Sequence, residues 1–395
     1  MIIQCTKKVL DTLNVDTSQL VSPDGFDQYP ESFFGWHANI VTIYRRKVLV
    51  LMNNETRFPV VINRLLKKDL ANLEELIHEA IRVALRMEGV SETVIDKYFA
   101  LSKGLTFSKT ANRSMVAKLN NTVREVEFWE EFIDKDATIQ RYISPLVGQM
   151  IQTDAQNKGF YPNERMLGNL AKISDANDVA DIMDVELYQL NIQLALDGHD
   201  IWRRVQIPSN YSFRHLHNLI QIVFDWQNYH LHEFSVLRKD NKDLKIVMDD
   251  DPETMEFANF SGNEIVQKRF VSLKDVFAQH SEVIYEYDFG DSWKHIITLE
   301  KSVNATTQHA KLLESKGERP PEDVGGLHGF NEYLTVINDP NSPEYENMHA
   351  WAESQKERTF SLEYTNHRLK SILHDYYYNE NAQNLDNEDF LARFK

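Results

Sequence analysis

Three short runs in the second half of the 395-residue chain concentrate the side chains that bind ligands or move charge. They are His230-Leu231-His232-Glu233, Asp288-Phe289-Gly290-Asp291-Ser292-Trp293-Lys294-His295, and Pro320-Pro321-Glu322-Asp323-Val324-Gly325-Gly326. In a β-strand alternate residues share a face, so His230 and His232 have the spacing that suits two imidazoles on one divalent metal, with carboxylates from Asp288, Asp291 or Glu322. The metal set read this way is His230, His232, Asp291 and Glu322. His232 also shares its face with Phe234 and Val236, and a packed, hydrogen-bonded histidine is the preferred reading. No cofactor is therefore favoured, and a divalent metal stays as the alternative. Asp288 and Asp291 bracket Gly290, where aspartates commonly bond their own backbone in a tight turn. Two prolines stiffen the approach to Glu322 and Asp323, and two glycines follow them. That loop presents its acids to a metal, to a ligand amine, or to the start of a helix near Phe330.

These runs have to be positioned by regular elements. Alternating apolar residues from Tyr188 to Leu194 and a turn at Gly198-His199-Asp200 lead into a second strand, Ile201 to Ile207. Ser212 caps a helix whose Phe213, Leu216, Leu219, Ile220, Val223 and Phe224 form one stripe. A third strand runs from His230 to Leu237, and a later hairpin, Val283 to Tyr287 with Trp293 to Glu300, is expected to extend the sheet. Hairpin, helix, strand is the order of a β-grasp-like mixed sheet. Ahead of it, strands at 2–5, 36–44, 47–52 and 58–62 precede helices from Leu70 to Ala84, capped by Asp69, and from Ser91 to Leu101. Residues 112–155 read as helical, with Phe128, Trp129, Phe132 and Ile133 as one apolar patch. The fold class is α+β in two domains, 1–155 and 184–395, with 156–183 as a linker because Gly159, Pro162 and Gly168 interrupt the apolar pattern.

Length supports the same division, since 395 residues exceed the usual single core. A single cysteine, Cys5, excludes a disulfide framework and a cysteine-rich zinc finger. No secretory pattern opens the chain and no long apolar run follows, which reads as a cytoplasmic protein without a membrane partner. The formal charge of −17 falls almost wholly beyond residue 180. A field of that sign repels phosphate backbones, so nucleic acid is unlikely for the C-terminal half. Phosphate-loop, dinucleotide, zincin and nucleophile-elbow motifs are not found. An acidic tail carrying Tyr376-Tyr377-Tyr378 ends the sequence.

From about residue 184 to 365 the chain resembles the plasmid pRiA4b ORF-3-like family, also called insertion-element passenger proteins. The likeness rests on Ile201-Trp202-Arg203-Arg204-Val205, His230-Leu231-His232-Glu233-Phe234, Tyr285-Glu286-Tyr287-Asp288-Phe289-Gly290-Asp291-Ser292-Trp293 and Pro320-Pro321-Glu322-Asp323, in the family's order. It implies an α+β fold and a hint of mobile DNA, and it brings with it no established activity. The family pattern sets cysteines beside the Pro-Pro-Glu-Asp run where this chain has Arg319 and Val324, so a thiolate-assisted metal site is not expected. Cys5-Thr6-Lys7-Lys8, Trp36-His37-Ala38-Asn39 and Lys109-Thr110-Ala111-Asn112-Arg113-Ser114 make residues 1–150 similar to a bacterial domain of unknown function.

The function expected is a binding or adaptor protein, recognising a protein or small ligand through Arg203, Arg204, His230, His232, Glu233, Asp288, Asp291, Trp293, His295, Glu322 and Asp323. Clustered acids need a cation beside them, and Arg203 and Arg204 are the expected partners. The alternative is a metal-dependent hydrolase using His230, His232, Asp288, Asp291, His295, Glu322 and Asp323.

Overall fold

The computed structural model describes residues 1–26, 30–65, 72–154, 156–237, 243–247, 264–355, 361–370 and 372. Tyr376-Tyr377-Tyr378, the acidic tail, and the Asp69 cap lie outside them. The chain divides into two compact units, residues 1–185 with 305–307 and residues 186–304 with 308–395. Each mixes helices and sheet, so the protein is a two-domain α+β chain.

In the first unit, β1 (Ile2–Cys5), β2 (Gly35–Ile43), β3 (Arg46–Asn53), β4 (Pro59–Ile62) and β5 (Thr106–Lys109) form a sheet in the order β4-β3-β2-β1-β5. β1 runs parallel to both neighbours, and β2, β3 and β4 form an antiparallel meander. Residues 48–53 of β3 are buried without alternation, the signature of a strand covered on both faces. After a short α1 (Lys7–Leu13), α2 (Leu73–Met87) buries Leu73, Ile77, Ala80, Ile81, Ala84 and Leu85, the three-and-four spacing of an amphipathic helix, and α3 (Glu92–Ser102) follows it. Cys5 lies in this core, and burial pushes its thiol up to about 12, which leaves it inert.

Two expectations fail here. Residues 112–155 are not one helical run: α4 (Arg113–Phe128) stops, a 3₁₀ turn follows, and a short α5 (Ile143–Gly148) comes before β6 (Gln152–Thr153), which pairs with β7 (Gly159–Phe160). Phe128 points outward while Trp129, Phe132 and Ile133 are buried. Residues 156–183 are not a linker, because α6 (Pro162–Ile173) sends Met166, Leu167, Leu170 and Ala171 into the first unit's core, joined by Ile182. Pro162 occupies the first turn, where a missing N–H costs nothing, so the residue read as a breaker starts the helix.

The second unit is built on β8 (Val185–Leu194), β9 (Ile201–Pro208), β10 (His232–Val236), β11 (Leu244–Val247), β12 (Glu264–Gln267), β13 (Glu282–Tyr287), β14 (Trp293–Ala305) and β15 (Lys311–Lys316). Their order is β12-β11-β10-β13-β14-β8-β9-β15. The β13–β14 hairpin does belong to this sheet, and it sits in the middle, between β10 and β8. The reason is its composition, since Val283, Tyr285, Tyr287, Trp293, His295 and Ile297 are all buried and an edge would leave half of that surface wet. α7 (Phe213–Phe224) is buried along its whole length, with Phe213 against Phe234 and His217 against Tyr285.

Because α6 belongs to the first core, Leu170→Ala should lower stability by about 2–5 kcal/mol, the range for emptying a buried leucine site. Denaturant unfolding of the full chain measures it. A change below about 0.5 kcal/mol, the level of a surface substitution, would restore the linker reading.

Candidate functional site

Three connections of the second unit meet at one point. His230 stands in the loop that enters β10, Asp288 immediately follows β13, and Glu322 with Asp323 precedes a helix, α9 (Gly326–Ile337), that follows a short α8 (Leu273–Phe277). His230 Nε2 lies 3.4 Å from Asp288 Oδ2, 3.7 Å from Glu322 Oε2 and 3.2 Å from Asp323 Oδ1. One imidazole nitrogen thus faces three carboxylates.

Each carboxylate is anchored through its other oxygen. Asp288 Oδ1 accepts the backbone N–H groups of Gly290 (3.0 Å) and Asp291 (3.3 Å), and the left-handed backbone at Asp288 (φ 58°) makes that tight turn. Glu322 Oε1 accepts the Gln227 N–H at 2.7 Å and the Tyr287 hydroxyl at 3.4 Å. Asp323 Oδ2 accepts the Tyr229 hydroxyl at 2.9 Å. Glu322 has 0% exposure, and its Oε2 has no hydrogen-bond donor. Burial raises the Glu322 carboxyl above its usual range, opposed by the Gln227 N–H and by the positive field of Arg319.

The loop geometry depends on two glycines. Gly325 and Gly326 adopt φ of 90° and 63°, and a Cβ on Gly326 would sit 3.0 Å from the Asp291 carbonyl. Asp291 Oδ2 accepts the Gly325 N–H at 3.1 Å, so Asp291 ties the hairpin loop to the start of α9. Glu322 and Asp323 do not perform that role.

Several expected residues lie elsewhere. His232 turns towards α7, where its ring stacks on His217 at 3.6 Å, its Nδ1 faces the His230 carbonyl at 3.4 Å, and Lys268 Nζ meets its Nε2 at 2.7 Å. The period-two argument fails because β10 begins at His232, leaving His230 in an irregular connection. Trp293 and His295 are buried beneath the sheet, with His295 Nδ1 donating to the Trp293 carbonyl and Nε2 accepting from Trp226 Nε1. Glu233 lies on the opposite strand face, paired with Lys245. Of the alternative metal set read from the sequence, His230, His232, Asp291 and Glu322, the structure brings only Glu322 to His230; Asp288 and Asp323 stand there as well, and His232 and Asp291 are engaged elsewhere. The seven-residue hydrolase constellation is not assembled, because His232, His295 and Asp291 are engaged away from the meeting point.

The arginine expectation is also overturned. Arg203 is buried and donates to the carbonyls of Val223, Trp202 and Lys316, while burial lowers its guanidinium to about 10. Arg204 pairs with Glu300 and Glu314. The cation nearest in influence to Glu322 is Arg319, seated over the Trp226 ring at 4.9 Å and donating to the Asp225 and Pro320 carbonyls. Tyr229, Gln227, Tyr287 and Arg319 were missed. Tyr229 beside His230 and Arg319 ahead of the prolines were the available signals.

The comparisons with known proteins fit this layout. Residues 186–368 match the model of the plasmid pRiA4b ORF-3-like protein family, and residues 2–165 match a domain of unknown function, DUF6933. The protein described as "Uncharacterized protein y4hQ" from Sinorhizobium fredii (strain NBRC 101917 / NGR234) is 32% identical over 159 residues, 39% of this chain and 74% of that protein. The chain belongs to the plasmid pRiA4b ORF-3-like family. A solved structure, the protein of unknown function MM3350 from Methanosarcina mazei Go1, shares 32% identity and covers 45% of this chain and 97% of its own, with a TM-score of 0.39. The family portion contains every residue of the His230 meeting point, and the matched descriptions name no ligand or reaction. No described helix is long and apolar enough to cross a membrane.

The histidines under the sheet make acid the weak point of this domain. Burial lowers His215 and His295 to about 3, and it lowers His217 and His232 well below their ordinary range. Unfolded histidines titrate near 6.5, so unfolding takes up protons below that pH. Their contribution is complete above about pH 6.5 and is lost as pH falls towards 3, at about 1.4 kcal/mol per pH unit per histidine. Urea midpoints at pH 7.5 and 5.0, where ordinary carboxylates stay ionised, should differ steeply. Equal midpoints would contradict the neutral, buried assignment.

Proposed function

We propose that the second unit is a recognition module, and the protein an accessory or adaptor that captures a protein or small ligand around His230, Asp288, Glu322 and Asp323. The observation that carries this reading is the apolar rim. Tyr229 (52% exposed) and Leu231 (49%) flank His230 in the chain, Phe289 (44%) follows Asp288, and Leu327 (37%) follows the Glu322–Gly326 loop. Large side chains left wet beside a polar centre are the composition of a binding surface, with apolar contacts supplying affinity and the polar groups fixing orientation.

The loops that carry these residues are held rigidly. Asp288 N–H donates to the Leu231 carbonyl at 2.9 Å, and the Asp291 to Gly325 bond joins the other two segments. Preorganisation of this kind lowers the ordering cost of binding. The negative charge concentrated in this half argues for a partner other than nucleic acid.

Capture from a lysate of the native host, with wild-type protein and a Leu231→Asp/Phe289→Asp double variant, tests the reading. A component enriched by the wild type should fall at least tenfold with the variant while circular dichroism stays unchanged. Identical enrichment by both proteins would place recognition elsewhere.

A further inference from the structure

The meeting point poses a charge problem that hydrogen bonding does not solve. Three carboxylates point one oxygen each at a single imidazole nitrogen, with distances of 3.4, 3.7 and 3.2 Å. A proton on His230 Nε2 would satisfy one oxygen at most, yet none of the three is placed to accept that N–H, and Nε2 is itself buried. Glu322 Oε2, on a side chain with 0% exposure, is likewise left without a donor and faces the same point. An unpaired buried carboxylate oxygen is costly, and like charges held together make it more so.

We propose that His230 Nε2, Asp288 Oδ2, Glu322 Oε2 and Asp323 Oδ1 coordinate one divalent transition-metal cation, with Zn²⁺ the best fit. The three separations from His230, 3.2–3.7 Å, bracket the edge of a tetrahedron, since bonds of about 2.0–2.2 Å give ligand-to-ligand separations of about 3.3–3.6 Å. The ligand atoms of His230, Asp288 and Asp323 lie within 4.8 Å of one another and form a preset trio; Glu322 Oε2, 3.7 Å from His230 Nε2 but outside that trio, is the fourth ligand, drawn in as the ion binds. The second oxygen of every carboxylate is already held, by Gly290 and Asp291, by Gln227 and Tyr287, or by Tyr229, so each acid presents one oriented oxygen. Outer partners of this kind orient the ligands of metal sites. A mixed set of one imidazole and three carboxylates selects a first-row ion over Ca²⁺, which takes six to eight oxygens, and over Mg²⁺, which keeps its waters. The dication offsets two of the three negative charges. This site stands on side-chain geometry and not on the recognition role, so metal alone serves as the probe.

Isothermal titration of chelator-treated full-length protein with Zn²⁺ should show one site per chain, with Mn²⁺ binding more weakly and Mg²⁺ not competing at equal concentration. Asp323→Asn and His230→Ala should each weaken Zn²⁺ at least tenfold. Tyr229→Phe, which removes only the outer hydroxyl, should weaken it about tenfold, as second-layer changes do at metal sites. Glu233→Gln, on the opposite strand face, should bind as the wild type does. Zn²⁺ should raise the melting temperature of the wild type and of Glu233→Gln, with a smaller shift in Asp323→Asn. The proposal is overturned if the wild type shows no saturable Zn²⁺ site, or if Asp323→Asn and Tyr229→Phe, folded by circular dichroism, bind Zn²⁺ like the wild type.

Discussion

Mutual repulsion among Asp288, Glu322 and Asp323 is the constraint on which the second unit turns. Three acids from two remote stretches of chain share one neighbour, His230 Nε2, and they are held there by bonds to their far oxygens. Without the turn at Asp288, the Gln227 N–H and the Tyr229 hydroxyl, like charge would drive these loops apart. The Asp291 to Gly325 bond and the close approach of Gly326 to the Asp291 carbonyl fix the third loop against the hairpin. Arg319 contributes a positive field while its Nε and Nη1 donate to the Asp225 and Pro320 carbonyls, so it moderates the acids through its field.

Beneath this site runs a buried polar layer that sets where the strand ends lie. His217 donates through Nε2 to Asn228 Oδ1 and receives the Tyr285 hydroxyl at Nδ1, and Gln221 donates to the same hydroxyl. His232 stacks on His217 and links through its Nδ1 to the His230 carbonyl, so the core network touches the backbone of the site's imidazole. Satisfied networks in a low-dielectric interior rigidify their surroundings, and partial loss is expensive. Neutral histidines serve here as hydrogen-bonding spacers between α7, β10 and the β13–β14 hairpin, and their depressed proton affinity is a consequence of that burial.

Local periodicity made much of this architecture legible. The alternation of Leu190, Ile192 and Leu194 and the stripe of Leu216, Leu219, Ile220, Val223 and Phe224 placed β8 and α7 directly. Long-range pairing was not legible: nothing local states that the β13–β14 hairpin enters between β10 and β8. Pro162 and Gly168 suggested a linker because composition carries no record of burial, yet α6 packs Met166 and Leu170 into a core. At the site, residue types singled out His230, Asp288, Glu322 and Asp323, but strand periodicity wrongly tied His232 to His230. The pairing of Arg204 with Glu300 and Glu314 across strands, and the burial of Arg203 under α7, depended on register that the sequence does not show.

The central claim is that four side chains from three connections converge on one cation position. Anomalous diffraction from crystals grown with Zn²⁺, recorded at the zinc edge, tests it most directly. The account predicts one strong peak about 2.0–2.2 Å from His230 Nε2 and from one oxygen each of Asp288, Glu322 and Asp323. No peak there, or a His230 ring turned away from the three carboxylates, would contradict it.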